Sequence, residues 1–92
     1  MIGSFASRDT EVLFAGGSPR KFRSFQAQAE RKLQMLDSAK DLHDLRVLPG
    51  NRLEKLAGDR RGKRNIRVND QWRICFLWQD DGPWGVEIVD YH

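Results

Sequence analysis

Nothing in the chain constrains its fold more than the nine residues from Gln71 to Gln79. Trp72, Ile74, Phe76 and Trp78 alternate there with Arg73, Cys75 and Leu77, a period of two that belongs to a strand, because successive strand side chains point to opposite faces. Both sets are rich in aromatic and branched residues, which marks a strand partly covered on each side and therefore central in its sheet. Its neighbours are close in sequence. Lys63 to Val68 alternates, with Ile66 and Val68 facing one way and Arg67 the other, and Asn69-Asp70 offers a tight turn into the central strand. Asp80-Asp81-Gly82-Pro83 is expected to turn the chain again, so that Trp84 to Val89 returns as a final strand. Arg52 to Leu56 reads as a short edge strand, joined to Lys63 by the turn chemistry of Gly58-Asp59-Arg60-Arg61-Gly62.

The first half reads as helical. After a short apolar stretch at residues 2–6, read as a first strand, Arg8 to Ala15 forms a short helix that Gly16-Gly17 stops. Ser18 is expected to cap a second helix, with Pro19 in its first turn, running from Arg20 to about Ser38. Phe22, Phe25, Ala29, Leu33 and Leu36 lie on one face of it; Arg20, Arg23, Gln26, Glu30, Arg31 and Gln34 lie on the other. One more helical turn is predicted at residues 41–45, before the Pro49-Gly50 punctuation. Helices segregated to one face of a three- to four-stranded, mainly antiparallel sheet make an α+β fold. Ninety-two residues suffice for one such domain and not for two, so residues 1–92 are read as a single domain.

Composition removes several functions. No run approaches the roughly 20 apolar residues of a membrane span, and the opening residues lack the pattern of a signal peptide, so a soluble, cytoplasmic protein without membrane contact is expected. The single cysteine, Cys75, makes no internal disulfide, and with only His43 and His92 beside it a structural zinc site has too few ligands. Gly-rich phosphate loops, nucleophile elbows and metal-ligand helices are absent from the sequence. No cofactor and no metal are called for. Cys75 is expected to pack rather than react, His43 to sit at the surface, and Trp72 to belong to the core.

Charge is what remains. The net charge is +3, yet residues 49–67 alone carry seven Lys/Arg against two acidic residues, and residues 68–92 carry one against five. Arg52, Lys55, Arg60, Arg61, Lys63, Arg64 and Arg67 have the density of a phosphate-binding footprint or of a solubilising surface. Arg73, inside the central strand, keeps its charge at any working pH and requires an anion, since unpaired burial costs several kcal/mol. Two partners suit it: an ion pair with Asp90 or Glu87 on the neighbouring strand, or a phosphate on an open groove. RNA cleavage without a metal needs a base for the ribose 2′-hydroxyl, cations for the phosphate and an acid for the leaving 5′-oxygen. His92 is of the residue type that can titrate near neutral pH, Tyr91 can donate a hydrogen bond or stack on a base, and Arg73 with Lys55 can hold phosphate. A frayed terminus is the plainer reading of Tyr91-His92.

The strand-rich half, through Pro49-Gly50-Asn51-Arg52-Leu53-Glu54, Gly58-Asp59-Arg60, Asn69-Asp70-Gln71-Trp72-Arg73-Ile74 and Asp90-Tyr91-His92, closely resembles the HigB toxins of the RelE/ParE superfamily, and the helical half agrees with it. The resemblance implies a compact toxin of a type II toxin–antitoxin system, acting in the ribosomal A site as a metal-free mRNA endonuclease. It implies a helix-turn-helix antitoxin, HigA, as partner, and the 70S ribosome, its 16S rRNA and mRNA as targets. On matching positions Arg73 stabilises the scissile phosphate, His92 handles protons, and Asp90 and Tyr91 orient substrate or His92; Arg52, Arg60, Arg61, Lys63, Arg64 and Arg67 grip RNA.

Two positions depart from the family pattern. Many relatives carry histidine where this chain has Glu54, and lysine where it has Ala57. Glutamate can act as a base but cannot stabilise phosphate charge. Lys55 offers a replacement cation, but on a strand it points to the face opposite Glu54. Two further classes stay open on these residues: a non-catalytic toxin that inhibits DNA gyrase, as other members of the superfamily do, and a plain RNA-binding module.

Overall fold

The computed structural model describes residues 1–48, 50–55, 62–79 and 82–90. Helix α1 (Arg8–Phe14) starts because the Ser7 hydroxyl accepts from Thr10 N–H at 3.2 Å, with Asp9 and Glu11 in a first turn where negative charge is favoured. It stops as expected at Gly16, whose φ of +104° suits glycine. Gly16 N–H donates to the Leu13 carbonyl and Gly17 N–H to that of Val12, the paired bonds that satisfy a helix C-terminus.

The second helix is not continuous. Arg20–Phe25 is a 3₁₀ helix, and α2 (Gln26–Ser38) follows it. The physical reason lies in its rings: at three residues per turn, positions three apart eclipse, so Phe22 and Phe25 point the same way. Both are buried and both meet Trp72, at 5.8 Å edge-on and 5.0 Å stacked. Ser18 caps nothing; its hydroxyl donates to Gln26 Oε1 at 2.6 Å. Along α2, Ala29, Leu33 and Leu36 are buried. The short α3 (Leu42–Arg46) is capped by Asp41, whose carboxylate accepts from Asp44 N–H, and it buries Leu45.

Among the described residues four antiparallel strands follow, in the order β1 (Glu54–Lys55), β2 (Lys63–Arg67), β3 (Trp72–Gln79), β4 (Gly82–Asp90). This is the expected α+β architecture. The edge strand starts later than predicted: Arg52 takes a left-handed φ of +47°, which breaks the extended run there, while Leu56 and the turn expected over residues 58–61 lie outside the described residues. The β2–β3 turn is built by Asn69, whose side-chain oxygen accepts from the Gln71 and Trp72 N–H groups, each at 2.8 Å. Residues 2–6 do not form a regular strand. They run beside β4 in parallel, bridging at Phe5 and Val86, with Ala6 N–H to Val86 O and Val86 N–H to Ser4 O. Between Cys75 and Leu77 the β3–β4 register shifts by one residue, and Gly85, at φ +60°, takes the bulge conformation.

Ile66, Ile74, Phe76, Val86 and Ile88 are buried in one core with Leu13, Phe22, Phe25, Leu33 and Leu36 of the helices. The opposite face of the sheet is left for other work. Thr10, fully buried, ties the two layers: its hydroxyl accepts from Ile88 N–H at 3.0 Å.

Candidate nucleic-acid interface

Register alone assigns the outer face, since residues directly opposite in a ladder share a side. Glu54 pairs with Asn65, Asn65 with Cys75, and Cys75 with Glu87, one row across all four strands. The next row is Arg67, Arg73 and Val89. Lys55 and Arg64 pair with each other, and Arg64 with Phe76, so both lie on the helix side of the sheet.

Arg73 is the centre of this face, with 9% of its surface exposed. Among the described residues its Nη1 meets Asn65 Oδ1 at 3.0 Å, Glu54 Oε1 at 3.3 Å and the Arg52 carbonyl at 3.4 Å. Among the described residues the anionic partner met here is Glu54, from β1. Of the two carboxylates considered from sequence, Glu87 stands opposite Cys75, and Asp90 stands opposite Trp72 and accepts from Gln71 Nε2 at 3.1 Å. Burying a guanidinium against a half-exposed carboxylate keeps the charge hydrogen-bonded without sealing it from solvent.

Just before Arg52 in the chain stands a residue to which the sequence assigned no role. Asn51 is fully buried; its Nδ2 donates to the Leu45 carbonyl at 3.1 Å, and its own carbonyl accepts from Arg67 N–H at 2.6 Å. Its Oδ1 accepts from Lys32 Nζ. One side chain and its peptide thus join α2, α3 and β2. The next residue is Arg52, whose left-handed backbone turns its carbonyl to Arg73. Asn65 was missed as well, although asparagine between Arg64 and Ile66 in a strand was a legible signal, being disfavoured there.

The cations lie unevenly around this centre. Arg52 is exposed, while Lys63, Arg64 and Arg67 are half-buried. Arg67 is held by Asp70 at 2.6 Å, and the hydrogen bond and charge of Arg67, with a contribution from Arg52, keep the Asp70 carboxyl below its ordinary range. The pKa of Lys32 is lowered too, which in a cation disfavours the charged form: burial is the first cause, then the charges of Arg31 and Arg67. Arg60, Arg61, Ala57, Tyr91 and His92 lie outside the described residues. Glu54, Asn65 and Arg73 are brought together; Lys55 is not, since its register is on the other face. Asp90, too, shares the Trp72 side of the ladder.

Elsewhere His43 is exposed and Cys75 half-buried. A groove of about 600 Å³ between α2 and α3, lined by Arg31, Met35, Ala39, Asp44, Val47 and Leu48 among others, contains none of the residues read as the site. Among the described residues, no helix is long and apolar enough to cross a membrane, and no group of three His, Cys, Asp or Glu side chains is placed to hold a metal ion.

Comparison with known proteins gives this arrangement a context. The family model for the RelE-like toxin of the type II toxin–antitoxin system HigB matches residues 4–92. Toxin HigB-1 of Vibrio cholerae serotype O1 (strain ATCC 39315 / El Tor Inaba N16961) is 52% identical over 61 residues, which cover 66% of this chain and 60% of that relative. With nearly its whole length matched, strand-rich half and helices alike, the chain belongs to the HigB-like family of RelE-like toxins from type II toxin–antitoxin systems.

Proposed function

We propose that this chain is a ribosome-dependent mRNA endonuclease that works without a metal ion, through one toxin domain over residues 1–92, and arrests translation in the cytoplasm. The observation that carries the reading is Arg73: a guanidinium held by Glu54, Asn65 and the Arg52 carbonyl at the centre of a sheet face, next to a segment dense in Arg and Lys. Such a fixed cation suits the charge that grows on a phosphate during transfer, because it needs no reorganisation when the charge appears.

In the reaction the ribose 2′-oxygen attacks the adjacent phosphorus, the bond from phosphorus to the 5′-oxygen breaks, and a 2′,3′-cyclic phosphate and a 5′-hydroxyl result. Arg73 neutralises the non-bridging oxygens. Glu54, within reach of the same phosphate, is a carboxylate able to take the 2′-proton. By resemblance to the family His92 exchanges protons, with Asp90 and Tyr91 orienting it or the substrate. Arg52, Lys63 and Arg67, with Arg60 and Arg61, hold RNA of the message and the ribosome; Lys55 and Arg64, paired on the other face, contribute charge at a distance. A helix-turn-helix antitoxin is the expected neutralising partner.

Primer-extension mapping of a defined mRNA in a reconstituted translation reaction tests this, with and without ribosomes and with EDTA titrated to the level ribosomes tolerate. Cuts are expected only with ribosomes and are expected to vanish in folded Arg73→Ala and His92→Ala. Intact mRNA with folded protein refutes the reading and points to the gyrase-inhibiting class.

A further inference from the structure

Asn65 lies within β2 with no exposed surface. Its Oδ1 accepts from Arg73 Nη1 at 3.0 Å, and that bond decides how the amide faces: turned over, an NH₂ group would stand against a guanidinium, two donors with nothing to share. Nδ2 is therefore directed away from Nη1, and among the described residues it meets no acceptor. Proteins rarely leave a buried donor in this condition unless something else arrives to use it.

Directly opposite Asn65 on β1 stands Glu54, its carboxylate 3.3 Å from the same Nη1 and 46% of its side chain exposed. An anion already sits on Arg73, on a side chain free to swing into water, beside an unused donor. A phosphate that displaced that carboxylate would meet the guanidinium and the amide together.

We propose that Asn65 is a phosphate-binding residue: when a phosphodiester replaces the Glu54 carboxylate on Arg73, Asn65 Nδ2 donates to a non-bridging oxygen of the same phosphate. Oδ1 keeps the guanidinium aimed, and Nδ2 adds a second, uncharged hydrogen bond. Glu54 neutralises Arg73 until the exchange. The inference rests on the ribonuclease reading only for the source of the phosphate, an RNA strand.

The test uses the ¹⁵N-labelled full chain and a 2′-O-methyl RNA oligonucleotide, which presents phosphodiesters but has no 2′-hydroxyl to react. Both Asn65 side-chain amide signals should shift along the binding curve. Asn65→Leu and Asn65→Asp should bind about tenfold to a hundredfold more weakly, and Glu54→Gln more tightly. Asn65 amide signals that stay in place at saturation, oligonucleotide that fails to bind at millimolar concentration, or full affinity in a folded Asn65→Leu each overturn it. The amide measurement is made on the natural sequence, so it does not depend on any variant folding. A chain that cuts no mRNA yet shows the shift keeps this inference and loses the ribonuclease reading; one that cuts mRNA while Asn65 stays unmoved does the reverse.

Discussion

Replacing Asn51 by alanine should cost more stability than any single hydrogen bond suggests. Two side-chain bonds vanish. The Leu45 carbonyl loses the buried donor that reaches it at 3.1 Å, a penalty of about 1–3 kcal/mol for an acceptor without a partner. Lys32 loses the oxygen that receives its ammonium; bonds to charged groups contribute about 1.5–3 kcal/mol, and the low end applies because Lys32 is half-buried and water can replace the oxygen. Together these give about 3 kcal/mol, out of roughly 5–14 kcal/mol for a domain of this length. Urea unfolding followed by far-UV circular dichroism should show the midpoint falling with the slope unchanged, and thermal unfolding should fall by about 12–24 °C. Asn51→Asp keeps the acceptor for Lys32 and should lie between the two proteins. The backbone bond from Arg67 N–H to the Asn51 carbonyl survives in both, so β2 should persist. A loss under about 1 kcal/mol in Asn51→Ala would refute the reasoning, for it would mean that neither bond matters once water is admitted.

Lys32 itself predicts a pH dependence. Because its folded pKa is lowered, the folded state binds that proton more weakly than the unfolded chain, so stability rises with pH between the lowered value and the ordinary 10.5; the stability difference between wild type and Lys32→Met should shift in favour of wild type over that window in urea titrations. Asp70 follows the same sign in a lower window. Its lowered carboxyl contributes stability that is present above 3.8 and is lost as pH falls through the folded value; NMR titration should find Asp70 below 3.8 and find it raised in Arg67→Gln, and an unchanged titration would break the assigned pairing. Gly16→Ala should destabilise by about 1 kcal/mol or more in thermal unfolding, because alanine at φ +104° is strained. An effect near zero would show that the cap of α1 relaxes freely.

Most of the fold is readable along the chain because its signals are local. The period of two in Trp72–Gln79 and the glycines after Phe14 act between residues a few positions apart, and the strands and helix ends appear where those signals stand. Asn69 makes its turn with its own side chain, so no distant partner is needed. Parity in a strand is equally local, and it correctly separates Lys55 from Glu54. What the tertiary structure decided is wherever two segments compete for the same space. Periodicity alone favours a single helix through Arg20–Ser38; packing of Phe22 and Phe25 on Trp72, some fifty residues away, tightens its first six residues into a 3₁₀ turn. Arg73 announces a need for an anion, but it is the β1–β2–β3 register that brings Glu54 to Nη1. The roles of Asn51 and Asn65 are wholly tertiary. An amide declares only that it can donate and accept, and what it joins depends on which chains the fold brings beside it.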